Sequence, residues 1–133
     1  GWPVALGAWR GLAPQPPSLR TPLRLLCRAP PPMPPYLIEM QEELEAGEAQ
    51  LFDVREPGEY AAGSLSQAAL VPLSELQEGI APPFDRTKLT YIHCAAGVRV
   101  RYAKPMLEAM GFERVVALNE GFATLANLGF PTK

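Results

Sequence analysis

The sequence predicts an α/β domain built on a parallel sheet covered by helices. Three observations carry that expectation. Short apolar runs alternate with helix-length segments that end on glycine. The run Tyr91-Ile92-His93 leads straight into Cys94 and a small-residue loop, Ala95-Ala96-Gly97. The composition is that of a globular chain: 47% hydrophobic, 20% charged, with a formal net charge of −2 over 133 residues.

The elements follow in order. Leu37 to Ala46 reads as a helix closed by Gly47, and Gln50 to Val54 as a buried strand. Glu56 to Tyr60 reads as a helical turn, with Pro57 near its start. Ala69 to Val71 is a short strand, and Ser74 to Gln77 a short helix ended by Gly79. Leu89 to His93 is the central strand. Val100 to Met110 is a helix stopped by Gly111, although Pro105 inside it predicts a kink or a late start. Arg114 to Leu118 is a strand, and Phe122 to Leu128 a last helix closed by Gly129.

Residues 1–35 differ from the rest. They hold ten of the sixteen prolines, four arginines and no acid. Proline at that density sustains neither a helix nor a central strand. The segment fits an organelle transit peptide, placing the protein in a mitochondrion or plastid. The alternative is a disordered proline-rich tail with no address, on a cytoplasmic protein. The folded domain is expected over 36–133, where fourteen acids face eight bases, a formal charge of −6. That sign argues against a nucleic-acid partner, and no apolar run is long enough to span a bilayer.

Two cysteines are present, Cys27 and Cys94. Cys27 lies in the leader, so a disulfide between them is not expected. No C-x-x-C pair and no second cysteine near Cys94 is present, so neither a redox pair nor a zinc cluster is expected. Cys94 stands between a strand and a helix, at the C-terminal end of the sheet where sites form in such folds. The free N–H groups and dipole of the helix start favour an anion there, and hence a thiolate. His93 should point to the opposite sheet face, as a satisfied half-buried histidine rather than a general base.

Several motifs together resemble the rhodanese family of sulfurtransferases. Asp53-Val54-Arg55-Glu56-Pro57-Gly58-Glu59-Tyr60 resembles its first signature, and Val71-Pro72-Leu73-Ser74-Glu75-Leu76 its I-P-L-x-E-L. Cys94-Ala95-Ala96-Gly97-Val98-Arg99 is similar to its C-x-x-G-x-R loop. Leu118-Asn119-Glu120-Gly121-Phe122 and Gly129-Phe130-Pro131 resemble its closing motifs. The resemblance implies a rhodanese-like three-layer domain, with a five-stranded parallel sheet flanked by helices.

It also implies the chemistry. Cys94 would be the nucleophile, taking a sulfane sulfur from thiosulfate or a persulfide and holding it as a persulfide. The acceptor would be cyanide or a thiol, including a thiol on a protein. The amides of Ala95, Ala96, Gly97, Val98 and Arg99 would line the loop, and Arg99 would bind the anionic donor. Asp53, Arg55 and Glu59 would support the loop, with Arg55 paired to Glu59. No metal or organic cofactor would be needed. A monomer is expected.

Phosphatases of the same fold close a C-x-x-x-x-x-R loop. Here Arg99 gives four intervening residues and Arg101 six, so the count favours sulfur over phosphate or arsenate. The chain departs from the family pattern at Ser64, where histidine is common, and at Val100, where serine is common. The second departure implies one fewer hydrogen-bond donor at the site. The alternative function is a catalytically weak rhodanese-like module that binds a partner or senses persulfide or redox state.

Overall fold

The computed structural model describes residues 32–133, and the expectations about the leader lie outside them up to residue 31. Helix α1 (Pro35–Glu45) carries Pro35 at its first position, where a missing N–H costs nothing. It therefore starts two residues earlier than the apolar spacing suggests. Gly47, at φ 76°, turns the chain into β1 (Ala49–Asp53). Helix α2 (Pro57–Ala62) is held by a reciprocal capping box between Glu56 and Glu59. Strand β2 (Ala68–Leu70), helix α3 (Leu73–Gln77) and strand β3 (Leu89–His93) follow. Helix α4 (Val100–Ala109), strand β4 (Val115–Ala117) and helix α5 (Phe122–Asn127) complete the chain.

The strands pair in parallel in the order β2-β1-β3-β4. The expectation of five strands is corrected: among the described residues the sheet has four. These are the four apolar runs found in the sequence. The described residues ahead of α1 are Pro32-Met33-Pro34, of which both prolines lack the N–H donor that a ladder needs. An antiparallel bridge, Leu65 to Thr132, lies outside the sheet.

Alternation along the central strands splits the core into two layers. Phe52, Val54 and Ile92 pack with Leu73 and Leu76 of α3 and with Val100, Ala103 and Leu107 of α4. Leu51 and Tyr91 pack with Leu37 and Met40 of α1, Leu125 of α5, and Phe130. Each such large apolar side chain contributes about 1.5–3 kcal/mol by leaving water. Helix α4 starts at Val100 and runs through Pro105, so the late start does not occur. Pro105 and Arg101, whose carbonyl loses its helical partner, are both exposed, and water can serve that carbonyl.

This arrangement sets β1 and β3 side by side in the middle of the sheet. Asp53 and His93 are register partners at their C-terminal ends. The next residue of β1's chain, Val54, donates its N–H to the His93 carbonyl at 3.0 Å. Two loops thus leave the sheet together, one toward α2 and one toward α4.

Candidate active site

Cys94 follows β3 directly, and its side chain joins the apolar layer beneath α4. It is 1% exposed. Its Sγ accepts a hydrogen bond from the Gly97 N–H at 3.1 Å. Burial pushes the thiol pKa up. The amides of Val100, Ala96, Gly97 and Arg99 push it down by more, and the net shift is downward. Of the amides expected to line the loop, Gly97 makes the hydrogen bond to the sulfur, and Ala96 and Arg99 also lower its pKa, joined by Val100. Val100 is apolar and buried in the core, so it supplies no side-chain donor where serine is common; its backbone N–H is one of the amides that lower the thiol pKa.

The loop is tight because another loop backs it. Phe122 N–H donates to the Cys94 carbonyl at 2.9 Å, and Leu118 N–H to the Ile92 carbonyl at 2.9 Å. Gly97 takes φ 78°, and a Cβ there would lie 2.5 Å from the Asn119 carbonyl oxygen. A Cβ on Gly121 would lie 1.9 Å from the Ala95 carbonyl oxygen. Both contacts are backbone and cannot give way. The sequence marked residues 118–122 as a motif without a role. Their role is to clamp the cysteine loop, and the signal was the small residue at each point of approach.

The charged residues pair differently from expectation. Arg55 does not pair with Glu59. Its guanidinium grips the fully buried Asp53, with Nη2 2.7 Å from Oδ2 and Nε 3.0 and 2.9 Å from the two oxygens. It also donates to the Gly63 carbonyl at 2.7 Å and lies 4.4 Å from the centroid of the Phe122 ring. Asp53 and Arg55 are two apart in extended chain, so their side chains share one face; that spacing was the available signal.

Glu59 instead takes Arg99. The two guanidinium nitrogens donate to its two oxygens at 2.6 and 2.9 Å, a bidentate pair. The pair is partly open to solvent, with the side chains 30% and 39% exposed. Arg99 and the Glu56 N–H, which donates at 3.1 Å, draw the Glu59 carboxyl down to about 2. Glu59 raises the Arg99 pKa in turn, and the Cys94 and Glu56 charges add to that rise.

His93 is fully buried rather than half-buried. Its Nδ1 is 3.4 Å from the Cys94 carbonyl oxygen and its Nε2 is 3.7 Å from Asp53 Oδ2. Nε2 has no hydrogen-bond partner among the described residues. Burial lowers its pKa, against the opposing pull of the Asp53 charge. The expectation of a satisfied ring is corrected: both neighbours are acceptors, and a neutral imidazole has a proton for only one of them. Among the described residues no group of three or more His, Cys, Asp or Glu side chains is placed to hold a metal.

Fold and site together define a class: an open α/β domain with an amide-cradled cysteine at the carboxyl edge of its sheet. Residues 37–127 match the family model described as a rhodanese-like domain, and the chain belongs to that family. YqhL of Bacillus subtilis, described as an uncharacterized protein, is 36% identical over 84 residues. That alignment takes in 62% of this chain and 66% of YqhL, so the chain spans just under two thirds of that relative. An Escherichia coli rhodanese solved with anions is 28% identical with a TM-score of 0.53, covering 64% of this chain and 96% of its own. The human single-domain sulfurtransferase TSTD1 is 24% identical with a TM-score of 0.60, covering 68% of this chain and 91% of its own. At that identity the likeness is one of fold.

Two outcomes follow. Gly121→Ala must push the two loops apart, so it should lower stability by more than about 2 kcal/mol and slow alkylation of Cys94. Chemical denaturation and a timed iodoacetamide reaction measure both, and wild-type values in each would remove the clamp. His93 resists protonation in the folded protein but not in the unfolded chain, where its pKa is about 6.5. The unfolded state then binds more protons as pH falls below that value, and stability drops there. The melting temperature should fall from about pH 7 to pH 5, and the fall should flatten in His93→Gln.

Proposed function

We propose that this protein is a sulfurtransferase working through a persulfide on Cys94. The observation that supports this most is a buried Cys94 sulfur that accepts the Gly97 N–H at 3.1 Å, in a loop whose amides lower its pKa against the effect of burial. That arrangement favours the thiolate, which is the nucleophile, and suits a terminal persulfide anion equally. The thiolate attacks the outer sulfur of the donor. With thiosulfate the S–S bond breaks and its electron pair leaves on sulfite. The sulfur stays as Cys94–S–S⁻, and cyanide or a thiol then removes it as thiocyanate or a new persulfide. No external oxidant or reductant enters.

The shared fold of TSTD1, a single-domain sulfurtransferase, is consistent with this reading. Asp53, Arg55 and Glu59 act as supports: the first two fix the neighbouring loop, and the third holds Arg99. A second reading, a rhodanese-like module with weak turnover that binds a partner or senses persulfide, is favoured by the 1% exposure of Cys94. For the leader we retain the transit-peptide reading, and for the domain a monomer.

Thiosulfate or an alkyl persulfide should add one sulfur atom to Cys94 by mass spectrometry, and cyanide should release it as thiocyanate. Cys94→Ser should do neither. Equal thiocyanate release by both proteins would overturn the assignment. Stable loading of Cys94 without turnover would favour the second reading.

A further inference from the structure

We infer that Glu59 is a specificity-determining residue, which occupies Arg99 and steers the Cys94 site toward persulfides of small thiols and away from dianionic thiosulfate. This rests on the sulfur-transfer reading above.

The only cation in the cysteine loop is Arg99, and a dianionic donor needs a free one. Both of its terminal nitrogens are engaged by Glu59 at 2.6 and 2.9 Å. Glu59 cannot swing aside at no cost. It sits in the first turn of α2, which Pro57 and the capping box hold in place, and its carboxylate also accepts the Glu56 N–H. Glu56 adds a second negative charge close enough for Arg99 to feel it. Glu56 is anchored in turn by the Ser74 hydroxyl, which donates to it at 2.7 Å. The other bases of α4 do not replace Arg99. Arg101 and Lys104 lie about 200° and 140° around the helix from it, at 100° per residue.

With the thiolate formed, this rim carries more negative than positive charge. It repels thiosulfate more strongly than a donor with one charge or none. A persulfide R–S–S–H meets no such barrier. The Cys94 thiolate bonds to its outer sulfur, the donor S–S bond breaks, and the pair leaves on R–S, which takes the proton. Cys94–S–S⁻ and R–SH result, with charge and atoms balanced.

The test compares inorganic thiosulfate with 2-hydroxyethyl persulfide as donors, using the full chain. In Glu59→Gln the ratio of kcat/KM for thiosulfate to that for the persulfide should rise about tenfold, mainly through a lower thiosulfate KM. Arg99→Gln should cost more thiosulfate efficiency in the Glu59→Gln background than in the wild-type background, because only there is the guanidinium free. A ratio changed less than about twofold, or an equal cost of Arg99→Gln in both backgrounds, overturns the inference. Should Glu59→Gln melt early, the wild-type protein supplies the second readout. Raising salt from about 20 to 300 mM screens the rim and should lower the thiosulfate KM. A rise in that KM would mean net attraction and would overturn the inference. If wild-type protein takes sulfur from neither donor, the sulfur-transfer reading itself falls, and the inference with it.

Discussion

Everything at this site depends on how closely two loops approach each other. The cysteine loop can turn its amides toward Sγ only because the loop between β4 and α5 lies against its back, backbone to backbone. Gly97 meets Asn119 there, and Gly121 meets Ala95, at distances that admit no side chain. The Phe122 N–H fixes the Cys94 carbonyl from the same side. An anion in a nearly closed pocket is costly unless donors are already in place. Here the donors are main-chain groups held by the fold, so they need no reorganisation when charge appears.

Beneath the loop is a second layer of charge that does not reach the sulfur. Asp53 and Arg55 form a buried pair, and Phe122 covers the guanidinium, joining the end of β1 to the start of α5. A buried pair of this kind is a poor source of net stability, yet losing one partner is expensive. Its value lies in position, since it ties together the three chain segments that surround Cys94. His93 sits beside it, with one nitrogen lacking a partner among the described residues. The pairing of charges is therefore divided: Asp53 with Arg55 below, and Glu59 with Arg99 at the mouth.

The sequence disclosed the elements more fully than their partners. All four strands and five helices are visible as apolar runs bounded by glycine and proline, and β3 coincides with its expected limits. The fifth strand came from family likeness rather than from residues, and no run among the described residues supplies it. Cys94 was legible because a strand, a cysteine, small residues and a helix stand in direct succession. The Arg99–Glu59 pair was not, because it joins residues forty apart, and local spacing is silent about which acid meets which base. The part played by Val100 was not visible for a different reason: side-chain identity says nothing of its backbone N–H, which is one of the amides that lower the thiol pKa.

The most direct test is a titration of the Cys94 thiol. Thiolate absorbance of the wild-type chain, less that of Cys94→Ser to remove the contribution of Cys27, gives the ionisation of this one group. The account predicts a midpoint below the usual free-thiol value of about 8.5. A midpoint at or above that value would mean that burial outweighs the amides, and would contradict it.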